Sequence, residues 1–222
     1  PGETLWFALR QELRPGWHVF WINPGDAGLP LELDWTLPDG YAAGEPLHPV
    51  PDYIPVGPLA SYAHEGEPVF LVPVTAPADA RPGDTVDVSI DASWQTCEDI
   101  CVPEEGRFSF SLPVVASAVR DASRAALFAG ARATLPENGD ADARFAAEKG
   151  GYVLTAAAPD GLDPGTAFFF PAPEGLVEAS AKQKITVKDG DVRIVMTPGW
   201  RGDFEGPGLK GVLAFEGSEG RR

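Results

Sequence analysis

The two cysteines, Cys97 and Cys101, are the residues best able to do chemistry in this chain, and they lie only four positions apart. The surrounding segment reads Trp94-Gln95-Thr96-Cys97-Glu98-Asp99-Ile100-Cys101-Val102-Pro103-Glu104-Glu105. An extended chain would hold the two Cα atoms about 13 Å apart, whereas a disulfide requires less than about 7 Å. A bond between them therefore requires a turn over residues 97–101.

Three kinds of site are compatible with this pair: a structural disulfide, a metal site and a redox-active dithiol. Closing so short a loop constrains the unfolded chain by only about 2 kcal/mol, against about 4 kcal/mol for a loop of roughly 60 residues, which disfavours a purely structural bond. A metal site needs more ligands than two sulfurs, and the three histidines and one methionine lie at no ligand spacing from them. Redox exchange needs only two sulfurs, one of them accessible. We favour redox exchange and predict no metal ligands and no cofactor.

Four carboxylates flank the cysteines, in the pairs Glu98-Asp99 and Glu104-Glu105. Nearby negative charge disfavours a thiolate. This pattern favours a carrier that reacts with a docked partner over one that reacts freely in solvent. The acidic pair after Cys101 is interpreted as a solvated turn.

Alternating apolar residues predict a strand on each side of the pair, over 84–94 and 107–112. The cysteines are then expected in the connection between two antiparallel strands. Apolar runs between Pro and Gly turns predict further strands over 5–10, 17–22, 31–37, 69–74, 152–157, 167–170, 184–188, 191–197 and 211–215. Asp189-Gly190 predicts a type I′ hairpin. The composition of residues 118–135 predicts a helix. The Pro-rich residues 44–68 predict a long loop. His64, in this loop, and His18, upstream of it, are expected at the surface.

These elements predict an all-β chain of two immunoglobulin-like β-sandwich domains, joined by a short helical or irregular linker. The first domain, residues 1–116, would carry the cysteine pair, and the second, residues 117–222, contains no cysteine or histidine. The formal charge of −16 argues against nucleic-acid binding. Apolar runs are too short to span a bilayer. We expect a mature or excised fragment, since no basic-then-apolar leader precedes Pro1.

Three segments carry a resemblance to the N-terminal periplasmic region of the DsbD family of membrane thiol:disulfide reductant transporters. The first is Leu13-x-Pro15-Gly16-Trp17-His18-x-Phe20-Trp21-x-Asn23-Pro24-Gly25-Asp26-Ala27-Gly28-Leu29-Pro30. The others are Leu59-x-Ser61-Tyr62-x-x-x-Gly66-Glu67-x-Val69-Phe70 and Cys97-x-Asp99-Ile100-Cys101-Val102-Pro103-Glu104. They span most of residues 10–112 in the order that the family has.

The resemblance implies a periplasmic protein-disulfide reductase domain belonging to an inner-membrane protein. Its cysteine pair would receive two electrons from the transmembrane domain of its own full-length protein and reduce thioredoxin-like disulfide isomerases or reductases. By motif position Cys101 would attack a partner disulfide and Cys97 would resolve the mixed disulfide. A cap loop near Ser61–His64 would shield the pair, with Tyr62, His64 and Trp94 lining the site.

A copper-binding function is the alternative. Cys97-x-x-x-Cys101-x-Pro103 is similar to the Cys-x-x-x-Cys-Pro motif of Sco-type Cu(I) chaperones. Those chaperones also use a downstream histidine, whereas all three histidines here lie upstream of the cysteines. A Cu(I)-binding or copper-transfer module that uses the same sulfurs, with a role in copper tolerance, therefore stands beside the redox hypothesis.

Overall fold

The computed structural model describes residues 2–117, 122–137, 143–148, 150–202, 209–217 and 220–221. Its regular structure is nearly all β, as predicted, with one helix among the described residues. The elements are β1 (Thr4–Arg10), β2 (His18–Gly25), β3 (Glu32–Thr36), β4 (Ala42–Ala43), β5 (Asp52–Val56), β6 (Leu59–Glu65), β7 (Val69–Thr75), β8 (Thr85–Cys97), β9 (Cys101–Pro113), α1 (Ala122–Ala133), β10 (Arg144–Glu148), β11 (Gly151–Ala157), β12 (Phe168–Pro171), β13 (Lys184–Lys188), β14 (Asp191–Met196), β15 (Gly211–Ala214), β16 (Glu216–Gly217) and β17 (Gly220–Arg221).

The strands form antiparallel sheets of several sizes. One sheet has the order β1-β7-β4, and a six-stranded sheet has the order β3-β8-β2-β6-β5 with β9 paired to β8. Later in the chain, β10-β11-β14-β13 form a four-stranded sheet, and β12-β15 and β16-β17 form two-stranded sheets. The pairings of β1 with β7, β11 with β14 and β8 with β9 are all antiparallel, which suits strands joined by the short Pro- and Gly-rich turns of this sequence.

Two compact units, each with interleaved segments, make up the chain. The first comprises residues 1–19, 30–49 and 64–135, and the second comprises residues 20–29, 50–63 and 136–222. The composition predicts a single boundary after residue 116, and that boundary stays a prediction.

Part of the core of the first unit is built on the alternation of β8. Val86, Val88, Ile90 and Ala92 are buried, as the period-two pattern predicts. The intervening residues face outward, and Asp91 forms an ion pair there with an arginine of β9. Burying one face of a long strand fixes its register, since a slip by one residue would expose the whole apolar set. The register therefore fixes the position of Cys97, at the end of β8, relative to the neighbouring strands.

One core cluster of the second unit lies on the strands of its four-stranded sheet. Ile194 and Met196 on β14 and Leu154 on β11 are buried. The β13–β14 hairpin turns at Asp189 and Gly190, whose φ angles are 55° and 88°. Two positive φ angles are what a type I′ turn requires, so the predicted hairpin is confirmed.

The structure contains strands that the sequence analysis does not predict, namely β4, β5, β6, β10, β16 and β17. Residues 44–68 are not one long loop, because they contain β5 and β6. In β6 the residues from Ala60 to His64 are all buried, so the apolar–polar alternation that marks a half-exposed strand is missing. Helix α1 is confirmed over Ala122–Ala133, while residues 118–121 of the predicted helix lie outside the described residues. No helix in the described part of the chain has the length and apolar character to cross a bilayer.

Candidate functional site

The cysteines form a disulfide across the tip of the β8–β9 hairpin. Cys97 is the last residue of β8 and Cys101 the first of β9, and the two face each other in the strand register with their Cα atoms 4.1 Å apart. Only residues 98–100 form the connection, closed by a hydrogen bond from the Glu98 amide to the Ile100 carbonyl (3.2 Å). The turn that a disulfide requires is thus a tight hairpin. Its register brings the sulfurs together.

The two cysteines differ in their exposure to solvent. Cys97 is only 3% exposed, whereas Cys101 is exposed. The apolar neighbours of Cys101 are also exposed, Ile100 at 70% and Val102 at 38%. An incoming molecule can therefore reach Cys101, while Cys97 is shielded. The accessible cysteine thus lies between two exposed apolar side chains in the sequence.

Cys97 is shielded on one side by β2. In the pairing of β2 with β8, His18 lies opposite Cys97 and Val19 lies opposite Thr96. His18 is buried, not at the surface as the sequence analysis expected. Burial lowers the pKa of His18, although the negative charge of Glu65 acts in the opposite direction. A neutral imidazole beside Cys97 does not supply the positive charge that would stabilise a thiolate.

Glu104 links the two strands of the hairpin through its side chain. The indole Nε1 of Trp94 donates a hydrogen bond to Glu104 Oε2 (2.9 Å), and the Thr96 hydroxyl donates to the same oxygen (2.6 Å). The interpretation of Glu104 as part of a merely solvated turn is therefore wrong. Counting the hairpin register outward from the cysteines places Trp94 opposite Glu104, which is the signal that could have revealed the link.

The surface around Cys101 carries negative charge, as the sequence predicts. Glu98, Asp99 and Glu105 are exposed, as is Glu104. The next cation along β9, Arg107, forms an ion pair with Asp91 (2.5 Å). The carboxylates therefore dominate the charge next to the disulfide.

Tyr62 and His64, the predicted cap residues, lie in β6 and are buried. The Tyr62 ring packs against Phe168 and Phe170, with centroid distances of 5.8 and 5.0 Å. Burial raises the pKa of its hydroxyl, and the charge of Asp26 adds to the effect. His64 is buried beside His48, so its expected surface position is wrong. The role of Tyr62 and His64 at the disulfide stays a prediction.

Of the predicted site residues, the structure brings Cys97, Cys101 and Trp94 together on one hairpin.

The copper alternative finds no support in the donor set. Among the described residues, no group of three or more His, Cys, Asp or Glu side chains is placed to hold a metal ion.

A disulfide with one shielded and one exposed cysteine is suited to thiol–disulfide exchange, because exchange requires a sulfur that an incoming thiol or disulfide can reach. The family model of the N-terminal domain of the thiol:disulfide interchange protein DsbD matches residues 1–113. The chain therefore belongs to this family, and the resemblance found in the sequence is confirmed.

A solved structure gives the fold of a larger part of the chain. The crystal structure of the N-terminal periplasmic domain of ScsB from Proteus mirabilis matches with a TM-score of 0.68 and 18% sequence identity. The match covers 100% of this chain and 86% of that chain. At this identity the likeness is one of fold. None of the curated proteins matches the chain.

Proposed function

We propose that this chain is a periplasmic protein-disulfide reductase module. It takes two electrons from the membrane reductant transporter to which it belongs and passes them to thioredoxin-like periplasmic proteins. The observation that carries the proposal is the unequal exposure of two bonded cysteines, Cys97 at 3% and Cys101 exposed. The family membership supports the chemistry and, with the likeness to a periplasmic domain, the location.

The reaction proceeds in two exchange steps from the reduced dithiol. The Cys101 thiolate attacks one sulfur of the partner disulfide, the partner S–S bond breaks, and the other partner sulfur leaves as a thiolate that takes up a proton. The Cys97 thiol then loses its proton and attacks Cys101 in the mixed disulfide, which releases the second partner thiol. Two electrons and two protons pass to the partner, and the Cys97–Cys101 bond forms. The exposed residue makes the first bond because a partner can reach it.

The residues around the disulfide have supporting roles in this proposal. Trp94 lines the site from β8, supported by its hydrogen bond to Glu104 (2.9 Å) on the same hairpin. The segment 61–64, with Tyr62 and His64, acts as the cap that shields the sulfurs. Support for the cap comes from the family resemblance.

The domain arrangement is also part of the proposal. Residues 1–116 would form the redox-active immunoglobulin-like domain and residues 117–222 a second β-sandwich that supports or presents it. The family model ends at residue 113, before helix α1 begins at Ala122, which favours a boundary in this interval.

A pair of serine variants tests the proposal. In an insulin-reduction assay with the reduced full chain, Cys101→Ser should lose all activity, because no accessible thiolate remains. Cys97→Ser should lose turnover but accumulate a covalent adduct with a thioredoxin-like partner, seen as a mass increase on a non-reducing gel. The adduct persists because no second thiol resolves it.

The two variants are matched controls for each other. Both lose the same disulfide, so a loss of stability is common to them and cannot explain a difference in adduct formation. An adduct in Cys101→Ser but not in Cys97→Ser would reverse the assigned roles. Full activity of both variants would refute the mechanism.

A further inference from the structure

The hydrogen bonds to Glu104 connect the hairpin at a second point besides the disulfide. Trp94 and Thr96 lie two positions apart on β8, so their side chains are on one face of the strand. Both donate to the same oxygen of a residue on β9, at 2.9 and 2.6 Å. Thr96 immediately precedes Cys97 and is itself buried. The link therefore holds β9 against the part of β8 that positions the shielded sulfur.

We infer that Glu104 is a positioning residue that sets the equilibrium between the dithiol and the disulfide; this inference rests on the proposed redox function. Besides the disulfide, the strand ladder and the Glu98–Ile100 hydrogen bond join the two strands at the tip. The carboxylate adds two links across the strands close to the sulfurs. It thereby keeps Cys97 and Cys101 opposite each other in the reduced state.

Preorganisation of this kind raises the effective concentration of one thiol at the other. A higher effective concentration favours the disulfide, because ring closure then costs less conformational entropy. Loss of the Glu104 link should therefore make the disulfide easier to reduce. The change appears in the equilibrium with glutathione, in which one protein disulfide and two glutathione thiols give one protein dithiol and one glutathione disulfide.

Glu104 can also act through its negative charge. A variant at Glu105 separates the effect of this charge from the effect of the hydrogen bonds. Glu105, the neighbouring carboxylate, is also exposed, and it takes no part in the two hydrogen bonds that join β8 and β9 through Glu104. Glu105→Gln therefore removes one negative charge beside the disulfide without removing a link. Glu104→Gln removes the charge but keeps a side-chain oxygen that can accept the same hydrogen bonds.

The test is the reduction potential of the full chain in glutathione buffers, with thiols trapped by a maleimide reagent and resolved by gel shift. Glu104→Ala should shift the disulfide-formation constant about tenfold toward the dithiol, which corresponds to about 30 mV for a two-electron couple. Glu104→Gln should shift it less, and Glu105→Gln should match the unmodified chain. Thr96→Val, which removes one donor at nearly constant volume, should shift it in the same direction as Glu104→Ala.

Two outcomes would overturn the inference. One is an unchanged potential in Glu104→Ala and Thr96→Val. The other is an equal, non-zero shift in Glu104→Ala, Glu104→Gln and Glu105→Gln, which would assign the effect to charge. Thr96→Val keeps every charge, so it decides the question if Glu104→Ala does not fold. The measurement uses glutathione and no partner protein. A negative result here is therefore distinguishable from failure of the insulin assay, which tests the proposed function itself.

Discussion

Acidification from pH 7 to pH 5 should destabilise the chain, because two imidazoles are buried next to each other. His48 and His64 are 7% and 4% exposed, and their ring centroids lie 6.1 Å apart. Phe70 packs against both rings, at 5.0 and 5.7 Å. Burial lowers the pKa of His48 to about 4. Burial, together with the neighbouring imidazole, lowers the pKa of His64 to about 3.

The sign follows from proton binding in the two states. In the unfolded chain both histidines have the ordinary pKa of 6.5, so between pH 6.5 and pH 4 the unfolded chain binds protons that the folded chain does not. The free energy of unfolding therefore falls as the pH falls through this window. At pH 5, about 1.5 pH units below 6.5, His48 alone costs about 2 kcal/mol, at about 1.4 kcal/mol per unit. His64 contributes with the same sign.

The assay is urea unfolding followed by tryptophan fluorescence at pH 8, 7, 6 and 5. Between pH 8 and pH 7 the imidazoles are mostly neutral in both states, so these two measurements should agree closely and serve as the internal control. His48→Gln should reduce the loss between pH 7 and pH 5, whatever its effect on stability at pH 7. A free energy of unfolding that is unchanged between pH 7 and pH 5, or the same slope in His48→Gln/His64→Gln, would refute the reasoning.

Two further substitutions test packing in the second unit by the same urea assay. Asn23→Ala should cost about 1 to 3 kcal/mol, because the buried Asn23 amide donates to the Pro171 carbonyl (2.7 Å), and a change below about 0.5 kcal/mol would count against that role. Gly28→Ala should cost about 1 to 3 kcal/mol more than Gly57→Ala. Both glycines have positive φ, but a Cβ at Gly28 would overlap the Phe20 ring, whereas one at Gly57 would meet no atom within 4 Å. Equal costs would refute the overlap argument.

Local sequence signals were sufficient for most strands. Apolar residues at alternate positions predict strand β8, and those from Val86 to Ala92 are buried in the structure. The Asp189-Gly190 turn is equally local, because its two positive φ angles depend on the turn residues themselves. The sequence thus predicts an element well where one face is buried, the other is solvated, and the turn chemistry is explicit.

Strand β6 shows where sequence reasoning fails. Its residues from Ala60 to His64 are buried on both faces, so the alternating pattern disappears. The adjoining β5 contains Pro55, a residue that argues against a strand, and it pairs with β6 all the same. The burial of His64 depends on contacts with distant residues such as Phe70, which no local window contains.

The hairpin can be predicted from the sequence, but the difference in solvent exposure between Cys97 and Cys101 cannot. Spacing alone requires a turn over residues 97–101, and the alternation on either side supplies the strands. The shielding of Cys97 depends on His18, which is distant in sequence and meets it only through the pairing of β2 with β8. Long-range register of this kind is set by the buried faces of the strands, not by the turn.

The unequal exposure follows from the place of the hairpin in its sheet. At its C-terminal end β8 is an internal strand, because it pairs with β9 on one side and with β2 on the other. None of the described strands pairs with the outer edge of β9. A disulfide that joins an internal strand to an edge strand has one sulfur against a neighbour and one beside solvent. The exposure of Cys101 and the burial of Cys97 are therefore properties of the strand arrangement, to which the proposed cap over residues 61–64 would add. They arise wherever a hairpin tip combines these two kinds of strand.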